Sequence, residues 1–144
     1  MDTKRFVAGT VVGGVVLFVV GYLIFTLAFG AFYTANAGSA TGVDRSSQLM
    51  WALFLSNLAY AALIMFAIGN QGGALSVIGG TTAGAIVGFL LWFTADFSLY
   101  GITNVANLTR TVVDPLLEIV HGGIGGAAIA VTLARIPALA RSSK

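Results

Sequence analysis

Four side chains capable of acid–base or ligand chemistry stand beside long uncharged stretches: Asp96, Asp114, Glu118 and the one histidine, His121. Asp114, Glu118 and His121 are spaced i, i+4 and i+7, which sets them on one face of a helix. The helical rise puts Glu118 about 6 Å and His121 about 10 Å along that face from Asp114. A carboxylate one turn from an imidazole can share a proton with it, hold a ligand by hydrogen bonds, or contribute to a metal site. Asn57 adds a neutral donor and acceptor at similar depth and Asn104 another in the connecting segment above, so these six residues are expected to converge on a polar pocket.

Each also has a simpler role open to it. Asp114, followed by Pro115, reads as a helix N-cap with proline at the first helical position. A helix that begins earlier, around Asn104, and carries Pro115 inside it is the competing reading. Asp96 is solvated near an interface or paired with Arg110. Asn57 bonds a neighbouring helix, and Glu118 bonds His121 one turn away. The Glu118-x-x-His121 spacing is that of one half of a di-iron carboxylate site. Such a site needs a second Glu-x-x-His and two more glutamates, and this chain has a single histidine and no glutamate but Glu118. A mononuclear site from Asp96, Glu118 and His121 is the remaining metal arrangement. No resident metal or cofactor is expected.

The stretches that must position these groups are uncharged from residue 6 to 43 and again from 46 to 95. A charge at the centre of a membrane helix costs at least about 2.5–3.5 kcal/mol on insertion scales. That cost, with 58% apolar residues, 8% charged ones and a mean hydropathy of +0.96, identifies an integral membrane chain. The predicted fold is all-α: a single domain of four crossings at about 6–33, 49–69, 74–99 and 115–134. About 20 apolar residues suffice to cross the hydrocarbon, so the first is long and is expected to tilt or run past the interface. It also exceeds the apolar core of a signal peptide and reads as a retained crossing. Residues 70–73 read as a tight turn.

A weak internal repeat at an offset of 67 lays Gly21-Tyr-Leu-Ile-Phe on Gly88-Phe-Leu-Leu-Trp and the second crossing on the fourth. It predicts two tandem helical hairpins, with Phe29, Trp51 and Phe54 in the places of Asp96, Glu118 and His121. Glycine recurs at Gly80, Gly84 and Gly88, at Gly9 and Gly13, and at Gly122 and Gly126. Small residues four apart let membrane helices approach closely, either within the bundle or against another chain. The lipid bilayer and other membrane chains, or a second copy, are therefore the expected partners.

Lys4, Arg5, Arg135, Arg141 and Lys144 lie near the termini, against Arg45 and Arg110 in the connections after the first and third crossings. The excess of basic residues on one side predicts cytoplasmic termini. A pI near 9.3 built from so few bases reads as orientation, not as nucleic-acid binding. There is no cysteine, hence no disulfide or thiolate chemistry. Nucleophile elbow, zincin and phosphate-loop motifs are absent, and no enzyme activity is expected.

The stretch Tyr100-Gly-Ile-Thr-Asn104-Val-Ala-Asn-Leu108, followed by Glu118-Ile-Val-His121-Gly122, resembles a family of small four-helix bacterial membrane proteins classed as a domain of unknown function. That family has Tyr-Asp-x-Thr-Asn after its third helix and Asp-x-x-Trp-Gly in its fourth. Here Gly101 stands for the Asp and His121 for the Trp. The resemblance implies a four-helix fold in a bacterial inner membrane and supplies no activity. Two functions follow as expectations. The first is a non-catalytic protein acting through helix packing, as a homo-oligomer or an accessory subunit. The second is a small proton- or cation-linked transporter or channel using the acidic and histidine cluster.

Overall fold

The computed structural model describes residues 2–69 and 76–136. The turn expected at 70–73, the start of the third crossing at Ala74 and the basic residues Arg141 and Lys144 lie outside the described residues. What is described is all-helical, and four of its helical spans are long and apolar enough to cross a bilayer. The chain is a multi-pass membrane protein.

Helix α1, Thr3–Gly21, opens at Asp2, whose carboxylate accepts from the Lys4 amide. It passes into a π-helical segment, Tyr22–Ala28, and Phe29 then interrupts the run at φ −112° and ψ 7°. Helix α2, Gly30–Ala35, follows. The first crossing is therefore not one uniform helix to residue 33. The wider turn, closed by a Phe29 N–H bond to the Ile24 carbonyl at 2.8 Å, reshapes the chain near its end. Helix α3 spans Met50–Gly69, α4 Val77–Ile102 and α5 Leu108–Arg135.

The expected helix start at Asp114-Pro115 is corrected here. Helix α5 begins at Leu108, capped by the Asn107 side chain on the Arg110 amide at 2.9 Å, and Pro115 lies inside it. Asn107 supplies the capping oxygen seven residues earlier, so the local signal at Asp114 is overridden. Asp114 is free to point inward. The connection before α5 shrinks to residues 103–107.

The core is a ring of four antiparallel contacts, α1 on α3 and α5, and α4 on α5 and more lightly on α3. Along α5 the buried residues Thr111, Asp114, Glu118, His121, Gly125, Ile129 and Leu133 recur every three or four positions, one continuous stripe. Helix α1 meets it in alternation. Gly13 makes room for Ile129, Gly125 makes room for Leu17, and Gly21 makes room for His121. Against α4 the approach is closer, down to backbone at three glycines. A Cβ on Gly80 would meet the Gly126 carbonyl, one on Gly84 the Gly122 carbonyl, and one on Gly88 the Glu118 carbonyl. Both glycine series thus set backbone on backbone within one chain.

At the loop end, residues 36–49 and 103–107 are fastened together. Gly38 N–H donates to Val105 O at 3.1 Å, Ala40 N–H to Asn104 O at 3.0 Å and Asn107 N–H to Asn36 O at 3.2 Å. At the opposite end the Arg5 guanidinium donates to the Ile136 carbonyl, tying the start of α1 to the end of α5. The 67-residue repeat is not matched in environment. Trp51 and Phe54 are 68% and 37% exposed where Glu118 and His121 are 2% and 4% exposed. Helix α4 also stays α-helical through the stretch matched to the π segment.

Candidate functional site

Glu118 and His121 lie one turn apart on the inward stripe of α5, and the Glu118 Oε2 to His121 Nδ1 distance is 2.8 Å. The other ring nitrogen, Nε2, sits 2.8 Å from the Leu17 carbonyl of α1. A carbonyl only accepts, so Nε2 carries a hydrogen. From α3 the Tyr60 hydroxyl donates to the same Oε2 at 3.2 Å. One proton must then occupy the gap between Oε2 and Nδ1, either on the imidazole or on the carboxyl. With it in place the pair is neutral overall. Without it, a carboxylate faces a bare imidazole lone pair.

The neighbours that hold this arrangement are specific. Phe25, in the π segment, and Tyr60 both present T-shaped contacts to the imidazole, with centroids 5.4 and 5.7 Å away. Gly21 passes the ring so closely that a Cβ there would lie 3.2 Å from Nε2. Tyr60 reaches Glu118 through a gap that two glycines leave. A Cβ on either Gly88 or Gly122 would press on its hydroxyl. These glycines serve the hydrogen bond as well as the helix contact.

Asp114, one turn toward the loops, accepts from the Tyr33 hydroxyl of α2. Arg110 lies over the Tyr33 ring, 4.9 Å from its centroid. Among the described residues the one ion pair within 4 Å is Glu118–His121, so Asp114 and Arg110 are near one another without a direct contact.

These groups line a cavity of about 770 Å³. Its floor is Tyr60, Glu118 and His121, its upper wall Tyr33, Arg110 and Asp114, and its mouth includes Asp44 and Gln48. Glu118 Oε1 has no hydrogen-bond partner among the described residues, all the bonds of that carboxyl falling on Oε2. The cavity also meets the side of the bundle, because Ser56, Ala59 and Leu63 of α3 line it and are exposed.

Not every residue expected in the pocket joins the polar cluster. Asn57 lines the cavity, but its amide nitrogen donates to Leu53 O in its own helix at 2.8 Å. Tyr60, one turn further, makes the bond to Glu118 instead. Asn104 is exposed in the connection, where its carbonyl receives Ala40, and it is not a cavity residue. Asp96 does not line the cavity. Its Oδ2 is enclosed without a hydrogen-bond partner, and it makes no ion pair with Arg110 within 4 Å. Among the described residues no group of three acidic or histidine side chains is arranged to hold a metal ion, so the Asp96–Glu118–His121 metal arrangement does not form. Tyr60, Tyr33 and the Leu17 carbonyl are the participants that spacing did not reveal. Tyr60 stands out in hindsight as a phenol in the middle of an apolar crossing.

No family model, curated protein or solved structure matches this chain.

Proposed function

We propose that the protein is a small proton-linked transporter in which Glu118 and His121 exchange their shared proton for a monovalent cation admitted to the cavity. The observation that carries this reading is the buried, one-proton pair with a free carboxylate oxygen at the floor of a cavity of about 770 Å³. Ionisable groups at membrane depth are costly and commonly mark ion or proton pathways. Loss of the proton leaves one uncompensated negative charge, and an incoming cation restores neutrality. The Leu17 carbonyl keeps the imidazole from turning away, and Tyr60 keeps the carboxylate aimed.

The packing role, as homo-oligomer or accessory subunit, has less behind it. Part of its warrant is the glycine series, and Gly80, Gly84 and Gly88 face Gly126, Gly122 and Glu118 of the same chain. The location in a bacterial inner membrane, the cytoplasmic termini and the kinship with the uncharacterised four-helix family belong to this proposal as well.

The test is an inside-acid gradient in proteoliposomes, followed by a pH-sensitive dye while sodium, potassium or organic monocations are added outside. At least one cation is expected to collapse the gradient with the native chain. Glu118→Gln is expected to abolish that response and keep the bundle folded. A gradient indifferent to every cation, with folded protein in the vesicles, would refute proton exchange.

A further inference from the structure

The cavity also carries information about which cation. Resting on the exchange reading, we infer that the ligand is a lipophilic organic monocation, of the quaternary ammonium or phosphonium kind, bound against Glu118 and entering from the bilayer.

Size comes first. A volume of about 770 Å³ lies in the range of about 300–1,000 Å³ typical of sites for drug-sized molecules. The space is far wider than the tight shell of oxygens a bare metal ion takes. The wall chemistry points the same way. Phe18, Tyr22, Phe25, Tyr33, Tyr60 and Trp92 all line the cavity. Aromatic faces attract a diffuse organic cation, and more strongly where water is excluded.

Charge selects the sign. The charged or chargeable lining residues are Asp44, Asp114, Glu118, Arg110 and His121. With the shared proton present, Glu118 and His121 sum to zero, and two aspartates, Asp44 and Asp114, stand against Arg110 in the rest of the lining. Release of the proton adds one negative charge. For an anion the lining offers Arg110, stacked on the Tyr33 ring, against the three carboxyl groups of Asp44, Asp114 and Glu118. The groups facing Glu118 are His121 and Asp114 from α5, Tyr60 from α3 and Asp96 from α4, with Arg110 one turn beyond Asp114. Glu118 is 2% exposed, and its Oε1 takes no hydrogen bond among the described residues; Trp92 Nε1 is a second polar atom of the lining without a partner.

Access fixes the route. Ser56, Ala59 and Leu63 are at once cavity wall and bundle surface. Leu63 stands thirteen residues from Met50, about 20 Å along the helix, which is hydrocarbon depth in a core of about 30 Å. A solute dissolved in lipid meets this opening directly. The displaced proton leaves by the loop mouth past Asp114 and Asp44, so one positive charge enters for each that leaves.

The experiment is equilibrium dialysis of the full chain in detergent with tetraphenylphosphonium, with proton release read by a pH electrode in weak buffer. Saturable binding is expected, weakened about tenfold or more by Glu118→Gln. Ala59→Trp, which fills the side opening at an exposed position and leaves Glu118 intact, is expected to slow or block uptake. Thermal melting checks that both variants are folded. Absence of saturable binding, or equal binding by the native chain and folded Glu118→Gln, would overturn the ligand class. The exchange reading fails separately. Binding lost in Glu118→Gln but accompanied by no proton release supports the ligand class and refutes exchange. Sodium or potassium collapsing the liposome gradient while tetraphenylphosphonium does not bind leaves exchange standing and overturns the organic cation.

Discussion

His121 has both ring nitrogens committed, one to Leu17 O and one to Glu118, and that commitment makes its substitution and that of Glu118 unequal. His121→Ala leaves a buried carboxyl with Tyr60 as its remaining partner. Removing one member of a buried pair costs about 3–5 kcal/mol, so a marked drop in detergent unfolding midpoint is expected. Glu118→Gln behaves differently. Its amide can donate one hydrogen to Nδ1 and the other to the Tyr60 oxygen, so the loss is expected to stay within about 1 kcal/mol while proton sharing ends. Equal destabilisation by the two changes would count against the assigned hydrogen bonds. The pairing of Glu118 with His121 was legible because i, i+3 on one helix is a local relation. Tyr60 and Leu17 were not, since they come from 58 and 104 positions away and no local period encodes a contact between helices.

Helices α4 and α5 touch backbone to backbone because three glycines on one face three positions on the other, and their failure modes differ by position. At Gly84 an added side chain meets the Gly122 carbonyl, which cannot swing aside. Gly84→Leu is expected to force the helices apart and lower stability by several kcal/mol, about the upper range for overpacking or more. At Gly88 the added methyl also meets the Tyr60 hydroxyl. Gly88→Ala, like Tyr60→Phe, is therefore expected to weaken cation binding, and beyond what its own stability loss explains. A Gly88→Ala protein that melts early yet binds normally would separate the glycine from the site. The series was visible in sequence as small residues four apart, but nothing in that pattern chooses between a partner inside the chain and one outside. Pro115 misled for a related reason. Asp-Pro is a strong local start signal, and it yields here to an Asn107 cap and to a loop fastening that needs α5 to begin earlier.

On the scale of the whole molecule, the bundle has two unlike ends. One is tied by Arg5 to Ile136 and carries Lys4 and Arg135. The other is fastened by the pairing of residues 36–40 with 104–107 and holds the cavity mouth. Four apolar spans bring residues 2 and 136 to the first end, and the described basic residues Lys4, Arg5 and Arg135 stand there against Arg45 and Arg110 at the other. Basic residues next to short connections resist translocation, so the cavity mouth is expected to face away from the cytoplasm. A chain without cysteine makes the test clean. In intact cells, an impermeant maleimide is expected to label Ser39→Cys and to leave Thr3→Cys unlabelled until the membrane is opened. The reverse pattern would turn the molecule over. The direction of exchange depends on it, because a mouth facing outward returns the displaced proton to the outside. It also sets which leaflet lies nearer the opening beside Ala59 and Leu63, which straddle the middle of α3, Ala59 on the loop side and Leu63 just beyond it.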